Sequence, residues 1–294
     1  MHPSRKKRLF IFCVIAGMVA GYSVYRATRS GTDASAASAP TAVATDDDGT
    51  QTMTMSDVLE MAQAARDHLS TSLNDYTARF VKQEVDAQGV LGPETEMRLR
   101  VQTKLRNETN DAPMRVYLKF TAPEDVNGRE VLWGEDLNNG QMAVHEVGLL
   151  LGLKTIWLDP NGIIAMQGQR YPISEIGLVK LVEKLLERGE KDRDNPAVSV
   201  TLTENHKLGE VDTQLIQVRR SEPSNDAEDF SLAEIVIDPE RQLVLSYCAY
   251  GWAENEQDEP PLLESYKYFD VETNVGLSDA DFDTKNPAYS FPSI

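Results

Sequence analysis

Apolar residues recur at every second position through much of this chain, and that habit limits what it can fold into. Met97, Leu99 and Val101 alternate with Arg98, Arg100 and Gln102, and Met114, Val116, Leu118 and Phe120 repeat the rhythm. Successive side chains of a strand point to opposite faces, so such rows belong to strands with one dry and one wet face. Turn signals lie between the rows: Gln88-Gly89 to Gly92-Pro93, Pro123 to Gly128, Asn138-Asn139-Gly140 and Asp159-Pro160-Asn161-Gly162. The spacing predicts strands over 76–80, 97–101, 114–120, 130–133, 142–145, 156–158 and 163–166. Further strands are expected over 198–202, 213–219, 232–237, 243–250 and 263–269. Connections this local make an antiparallel sheet. A twisted sheet of about ten strands must curl or close.

Two stretches switch to helical spacing. Val58, Leu59, Ala62, Ala65, Leu69 and Leu73 form one stripe over 55–73, with Ser56 and Asp57 suited to its start. Ile176, Leu178, Leu181, Val182, Leu185 and Leu186 form another over 173–188, with Gly189 expected to end it. The expected fold class is therefore α+β, mainly antiparallel β, in one domain over 55–294. Its two helices are left to cover the concave face of a curled sheet and could enclose an apolar pocket there. The segment after 271 reads as irregular, docked by Phe282, Tyr289 and Phe291.

The N-terminus bears on location. Residues 9–25, LFIFCVIAGMVAGYSVY, carry no charge and follow the basic cluster Arg5-Lys6-Lys7-Arg8. Seventeen residues span about 25 Å as a helix, at the short end for a bilayer. Residues 1–8 should stay in the cytoplasm and send the remainder outward. The first small-x-small sites lie near Ala34–Ala36 and Ala37–Ala39, far downstream, which favours an uncleaved signal-anchor. The alternative is a cleaved signal peptide and a secreted domain. Residues 26–54 are small and polar with an Asp run, and read as a flexible linker. The expected location is the inner membrane, with the folded part in the periplasm.

The 294 residues include 47 acidic and 29 basic side chains, a net charge of −18. Six of the cations lie in the first thirty residues, so the folded part is more acidic still. Such a surface repels phosphate backbones and excludes nucleic acid as a partner. The two cysteines, Cys13 and Cys248, lie in environments too different to pair with each other.

Catalytic patterns are missing. There is no GxSxG elbow, P-loop or GxGxxG, and the four histidines have no metal-ligand spacing. Neighbouring His145 and Glu146 point to opposite faces of a strand. Asp279, Asp281 and Asp283 open like a calcium loop, but Thr284 and Ser290 stand where glycine and glutamate are needed. A capped turn is the better reading. The sequence thus predicts a binding module rather than an enzyme, with no cofactor and no metal. The inward-facing apolar positions are the candidates for its groove: Met97, Leu99, Val101, Val116, Leu118 and Phe120, then Trp133, and on the later strand Leu243, Leu245 and Tyr247.

Four stretches carry a family resemblance: YTARFVKQEV (76–85), VYLKFTAPEDVNGREVLW (116–133), RYPISEIGLVKLVEKLL (170–186) and ESYKYFDVETNVGLSDADFDTKNPAYSF (264–291). Together they resemble a bacterial domain-of-unknown-function family, number 1571, over about residues 56–291. That family is similar to the LolA/LolB-like lipoprotein carriers. The resemblance implies an open half β-barrel whose apolar concave face is capped by helices. It also implies lipid or lipoprotein acyl chains as the ligand. A tethered domain cannot shuttle as a soluble carrier does, so an envelope sensor binding a protein partner through the same groove is the alternative. Membrane contact is expected only through the N-terminal helix.

Overall fold

All but one of the predicted strand rows, and both helices, form in the computed structural model, which describes residues 49–148, 152–224, 226, 228–255 and 257–292. The basic segment, the signal-anchor and most of the linker lie outside these residues. Among the described residues, no helix is long and apolar enough to cross a membrane.

The elements run β1 (Thr50–Met53), α1 (Met55–Ser72), β2 (Asp75–Glu84), β3 (Thr95–Gln102), β4 (Arg115–Ala122), β5 (Glu130–Gly134), β6 (Met142–His145) and β7 (Ile156–Leu158). The second half runs α2 (Leu178–Lys191), β8 (Val198–Leu208), β9 (Val211–Arg220), β10 (Leu232–Asp238), β11 (Leu243–Tyr250) and β12 (Leu262–Thr273). All twelve strands join one antiparallel sheet, in the order β1-β8-β9-β10-β11-β12-β2-β3-β4-β5-β6-β7. The two halves meet where β12 pairs β2, with Glu264 opposite Glu84 and Tyr268 opposite Phe80. β1 and β7 are the two edges, so the sheet is open, as expected. The accumulated twist of so many strands curls it.

Parity sorts the residues into two cores. Met97, Leu99 and Val101 pair with Phe120, Leu118 and Val116 and face the main cluster, with Trp133 next to Val116. Both helices lie on this concave face. Tyr117, Leu132 and Ala143, one position out of step, face the other way. There Phe282, Tyr289 and Phe291 of the C-terminal segment cover them. Tyr289 stacks on Tyr117 with ring centres 4.0 Å apart. Buried Glu130 accepts from the backbone N–H of Ser290 at 2.8 Å. The three tail aromatics dock as predicted. The aspartates of 279–283 are absorbed locally: Asp281 closes a capping box with Ser278 and pairs with Arg100.

Four expectations need correction. Thr50–Met53, read as part of the linker, forms an edge strand on β8, with the Thr50 and Thr203 hydroxyls 2.9 Å apart. The cap of α1 is Thr54, whose side chain accepts from the Asp57 N–H while Asp57 accepts from the Thr54 N–H. The 163–166 run forms turns instead of a strand, and Ile163 is 92% exposed. Gly189 does not end α2, which continues to Lys191. A Cβ on Gly189 would sit 2.9 Å from Leu59 Cδ2, so this glycine lets the two helices cross closely.

Candidate functional site

A cavity of about 230 Å³ lies between the helices and the second half of the sheet. Its floor is Ile216 and Val218 of β9, Ala233, Ile235 and Ile237 of β10, and Val244 and Tyr247 of β11. Its roof is α1, through Met55, Val58, Leu59, Ala62 and Ala65, together with Leu185 and Gly189 of α2. Small residues of α1, Ala62, Ala64 and Ala65, are part of its lining.

The floor runs along β10 from Ala233 to Pro239, about 20 Å at strand rise. The cavity is therefore elongated. At one end Ala64, Pro239 and Gln242 line it and are all exposed, which marks the mouth. At the other end stand Arg188, Asp192, Phe230 and Tyr247, all but Arg188 less than a tenth exposed.

Arg188 belongs to a lattice of charge beside this inner end. Glu84 and Glu264, cross-strand partners 4% and 2% exposed, face the concave side. Arg188 donates to Glu264 at 2.9 Å, to the Tyr247 hydroxyl at 2.7 Å, to the Tyr171 hydroxyl at 2.7 Å and to Glu228 at 3.2 Å. The Tyr266 hydroxyl bridges the two carboxylates, donating to Glu84 at 2.5 Å and lying 3.1 Å from Glu264. Lys82 pairs with Glu84, and Arg170 with Glu264. Burial, then the neighbouring Glu264 and Glu84 charges, hold the Tyr266 phenol far above its usual range. Burial and the Glu264 charge push Tyr171 up to about 12, against the pull of Arg188. Burial pushes Glu228 up, but its hydrogen bond to Arg188 and that charge outweigh it and leave the carboxyl below its ordinary value. With three cations against three carboxylates, the lattice is a neutral clamp fixing α2 and the 169–171 loop to the sheet.

A second buried cluster sits behind Phe230. Arg220 pairs with Asp192 and Asp229, both at 2.6 Å, and stacks over the Phe230 ring at 4.2 Å. The Trp252 indole donates to Asp229 at 2.7 Å.

The sequence candidates divide between places. Tyr247 lines the cavity. Leu243 and Leu245 lie on the same strand, buried in the main core and off the cavity wall. Met97, Leu99, Val101, Val116, Leu118, Phe120 and Trp133 face the concave side, but none of them lines the cavity. They pack in the half of the sheet where Ile173, Ile176, Leu178 and Val182 join the same core. Parity therefore places these residues on the concave face, and of the ten candidates only Tyr247 stands on the cavity wall. The charged lattice escaped the reading, although extending the Tyr76-Ala78-Phe80 alternation by four residues puts Lys82 and Glu84 on the dry face. Among the described residues, no group of three acidic, histidine or cysteine side chains could hold a metal ion.

Solved structures similar to this chain include a DUF1329 family protein from Desulfovibrio piger (13% identity, 78% of this chain and 97% of that one, TM-score 0.37). A domain assigned to outer membrane lipoprotein sorting from Vibrio parahaemolyticus matches at 12% identity over 78% and 97%, with TM-score 0.33. A LolA superfamily protein from Nitrosomonas europaea matches at 11% over 79% and 98%, with TM-score 0.27. The fold stands on the sheet order above. No curated protein is significantly similar in sequence. The family model described as "Protein of unknown function (DUF1571)" matches residues 73–291, from the first turn after α1 to the tail aromatics that close the outer core, and this chain belongs to that family.

Proposed function

We propose that this protein is a membrane-tethered, extracytoplasmic binding module that holds an acyl chain of a lipid or lipoprotein between its helices and sheet. The observation that carries the reading is the shape and chemistry of the cavity. Its wall is mostly hydrocarbon, which suits a chain and gives a compact polar ligand few partners. Its volume of about 230 Å³ exceeds the roughly 150 Å³ of an apolar cavity that admits benzene. The similarity of its family to the LolA/LolB-like lipoprotein carriers, which the resemblance implies, points the same way. In this reading residues 9–25 tether the domain, and the acidic surface keeps its body off anionic headgroups.

The test is uptake of a dansylated fatty acid by the full chain, delipidated and held in an amphipathic polymer. The reading expects saturable micromolar binding, displaced by unlabelled fatty acid. Absence of uptake, with one stoichiometric protein partner surviving delipidation, would move the groove to protein recognition.

A further inference from the structure

We infer that an amphiphile enters this cavity tail first, its methyl end stopping at Arg188 and its polar head staying at the turn between β10 and β11. The inference rests on the acyl-chain reading above and adds direction and a length limit to it.

The inner end is ill suited to an anionic headgroup. A guanidinium has five N–H donors. Arg188 spends its Nε on Glu228, its Nη1 on Tyr247 and Glu264, and one Nη2 donor on Tyr171, while Nη2 also lies 3.1 Å from a Glu228 oxygen. Its charge is already met by two carboxylates, which leaves little of it for a carboxylate or phosphate. Drawing Arg188 toward a ligand would take from Glu264, which is 2% exposed, its shortest cationic contact and leave only Arg170 at 3.4 Å and the Tyr266 hydroxyl. Asp192, at the same end, is already held by Arg220 and would repel an anionic head.

The mouth has the opposite character. Ala64, Pro239 and Gln242 are exposed, and Gln214 offers a second amide beside Ile237, its cross-strand partner. Water reaches a head placed there, and the two amides can donate to it or accept from it. Between the mouth at Pro239 and Ile235, which stands opposite Tyr247, the floor is apolar over about 13 Å of strand. Affinity therefore rises with chain length until the tail meets Arg188, and then levels off.

The experiment places a fluorophore at the mouth. Glu240 is exposed in the same turn and does not line the cavity. Glu240→Cys, in full-length protein carrying Cys13→Ser, gives one accessible thiol, because Cys248 is buried. The labelled protein, in an amphipathic polymer, is titrated with stearates bearing a nitroxide near the carboxyl or near the methyl end. An Ala62→Phe version corrects for partition into the polymer. Quenching several-fold stronger for the nitroxide near the carboxyl is expected. Equal quenching, or the reverse order, overturns the orientation. Silence from both probes while unlabelled stearate still displaces a dansylated fatty acid overturns the placement of the mouth. Silence with no displaceable binding overturns the acyl-chain reading itself.

Discussion

The guanidinium of Arg188 and the carboxylate of Glu264 meet at 2.9 Å at the inner end of the apolar cavity, joining α2 to β12. Glu264 is almost wholly buried, so this pair stands largely outside the screening of water. Removing one member leaves the other charged and buried. Glu264→Ala should cost about 3–5 kcal/mol of unfolding free energy. Lys207→Ala, which breaks the exposed Lys207–Asp212 pair, should cost less than about 1 kcal/mol. Urea unfolding of the two variants checks the contrast; equal effects would mean that the lattice is no clamp.

The carboxylates around the inner end predict the acid limb of stability. Burial raises the Asp229 carboxyl, but hydrogen bonds from Trp252, Ser224 and Arg220 outweigh it and leave it below its ordinary 3.8. Glu228 lies below its ordinary 4.5 for the reasons already given. A carboxyl depressed in the folded state stabilises above its unfolded value, and that contribution is lost as pH falls through the folded one. Stability should hold near neutrality and decline below about pH 4.5. Asp229→Asn should flatten the decline. Tyr171, raised to about 12, works in the other direction. Its contribution is intact below pH 10 and fades as the unfolded chain ionises above it. Urea midpoints at acid, neutral and alkaline pH read both limbs.

Gly189 sits where α2 crosses α1, and there the two roles of glycine oppose each other. Alanine would favour the helix by about 0.5–1 kcal/mol. Its Cβ, however, would press on Leu59 Cδ2 at 2.9 Å. Overpacking of this kind costs about 1–3 kcal/mol, so Gly189→Ala should be net destabilising. A thermal melt raised by the substitution would show that the helices can part freely.

Much of the fold was legible because antiparallel strands with one wet face write their period into the chain. The Met97 and Val116 rows showed their dry face from spacing alone; their pairing comes from the structure. The Ile163-Ile164 run misled because it is apolar without alternating, and in the structure it sits in turns with Ile163 in water. Gly189 read as a helix end because sequence shows a glycine's freedom but not a neighbour that needs its small size. The site was less legible. Arg188 and Glu264 are 76 residues apart, and Glu84 and Tyr266 are 182 apart, so only the fold assembles the lattice. The gap over β10 is likewise a property of what α1 and α2 fail to fill.

β1 shows how a polar segment can be structural. A chain beginning at Met55 would lose Thr54 and the strand on β8 together. The lost cap alone should cost about 0.5–2 kcal/mol, and the unpaired edge of β8 invites association between molecules. Comparison of chains beginning at 49 and at 55, by urea unfolding and light scattering, should show the shorter one less stable and more prone to self-association. Identical behaviour would return Thr50–Met53 to the linker.

Whether the cavity holds lipid is decided most directly by native mass spectrometry of the full chain purified from its host cells, beside the Ala62→Phe variant. Ala62 lines the cavity from α1, and a phenyl ring there fills the space over β10. The account predicts an added mass of lipid size on the parent protein and its loss from the variant, both folded. A folded parent that flies with no added mass, or a variant that keeps it, would contradict the assignment of this cavity to an acyl chain.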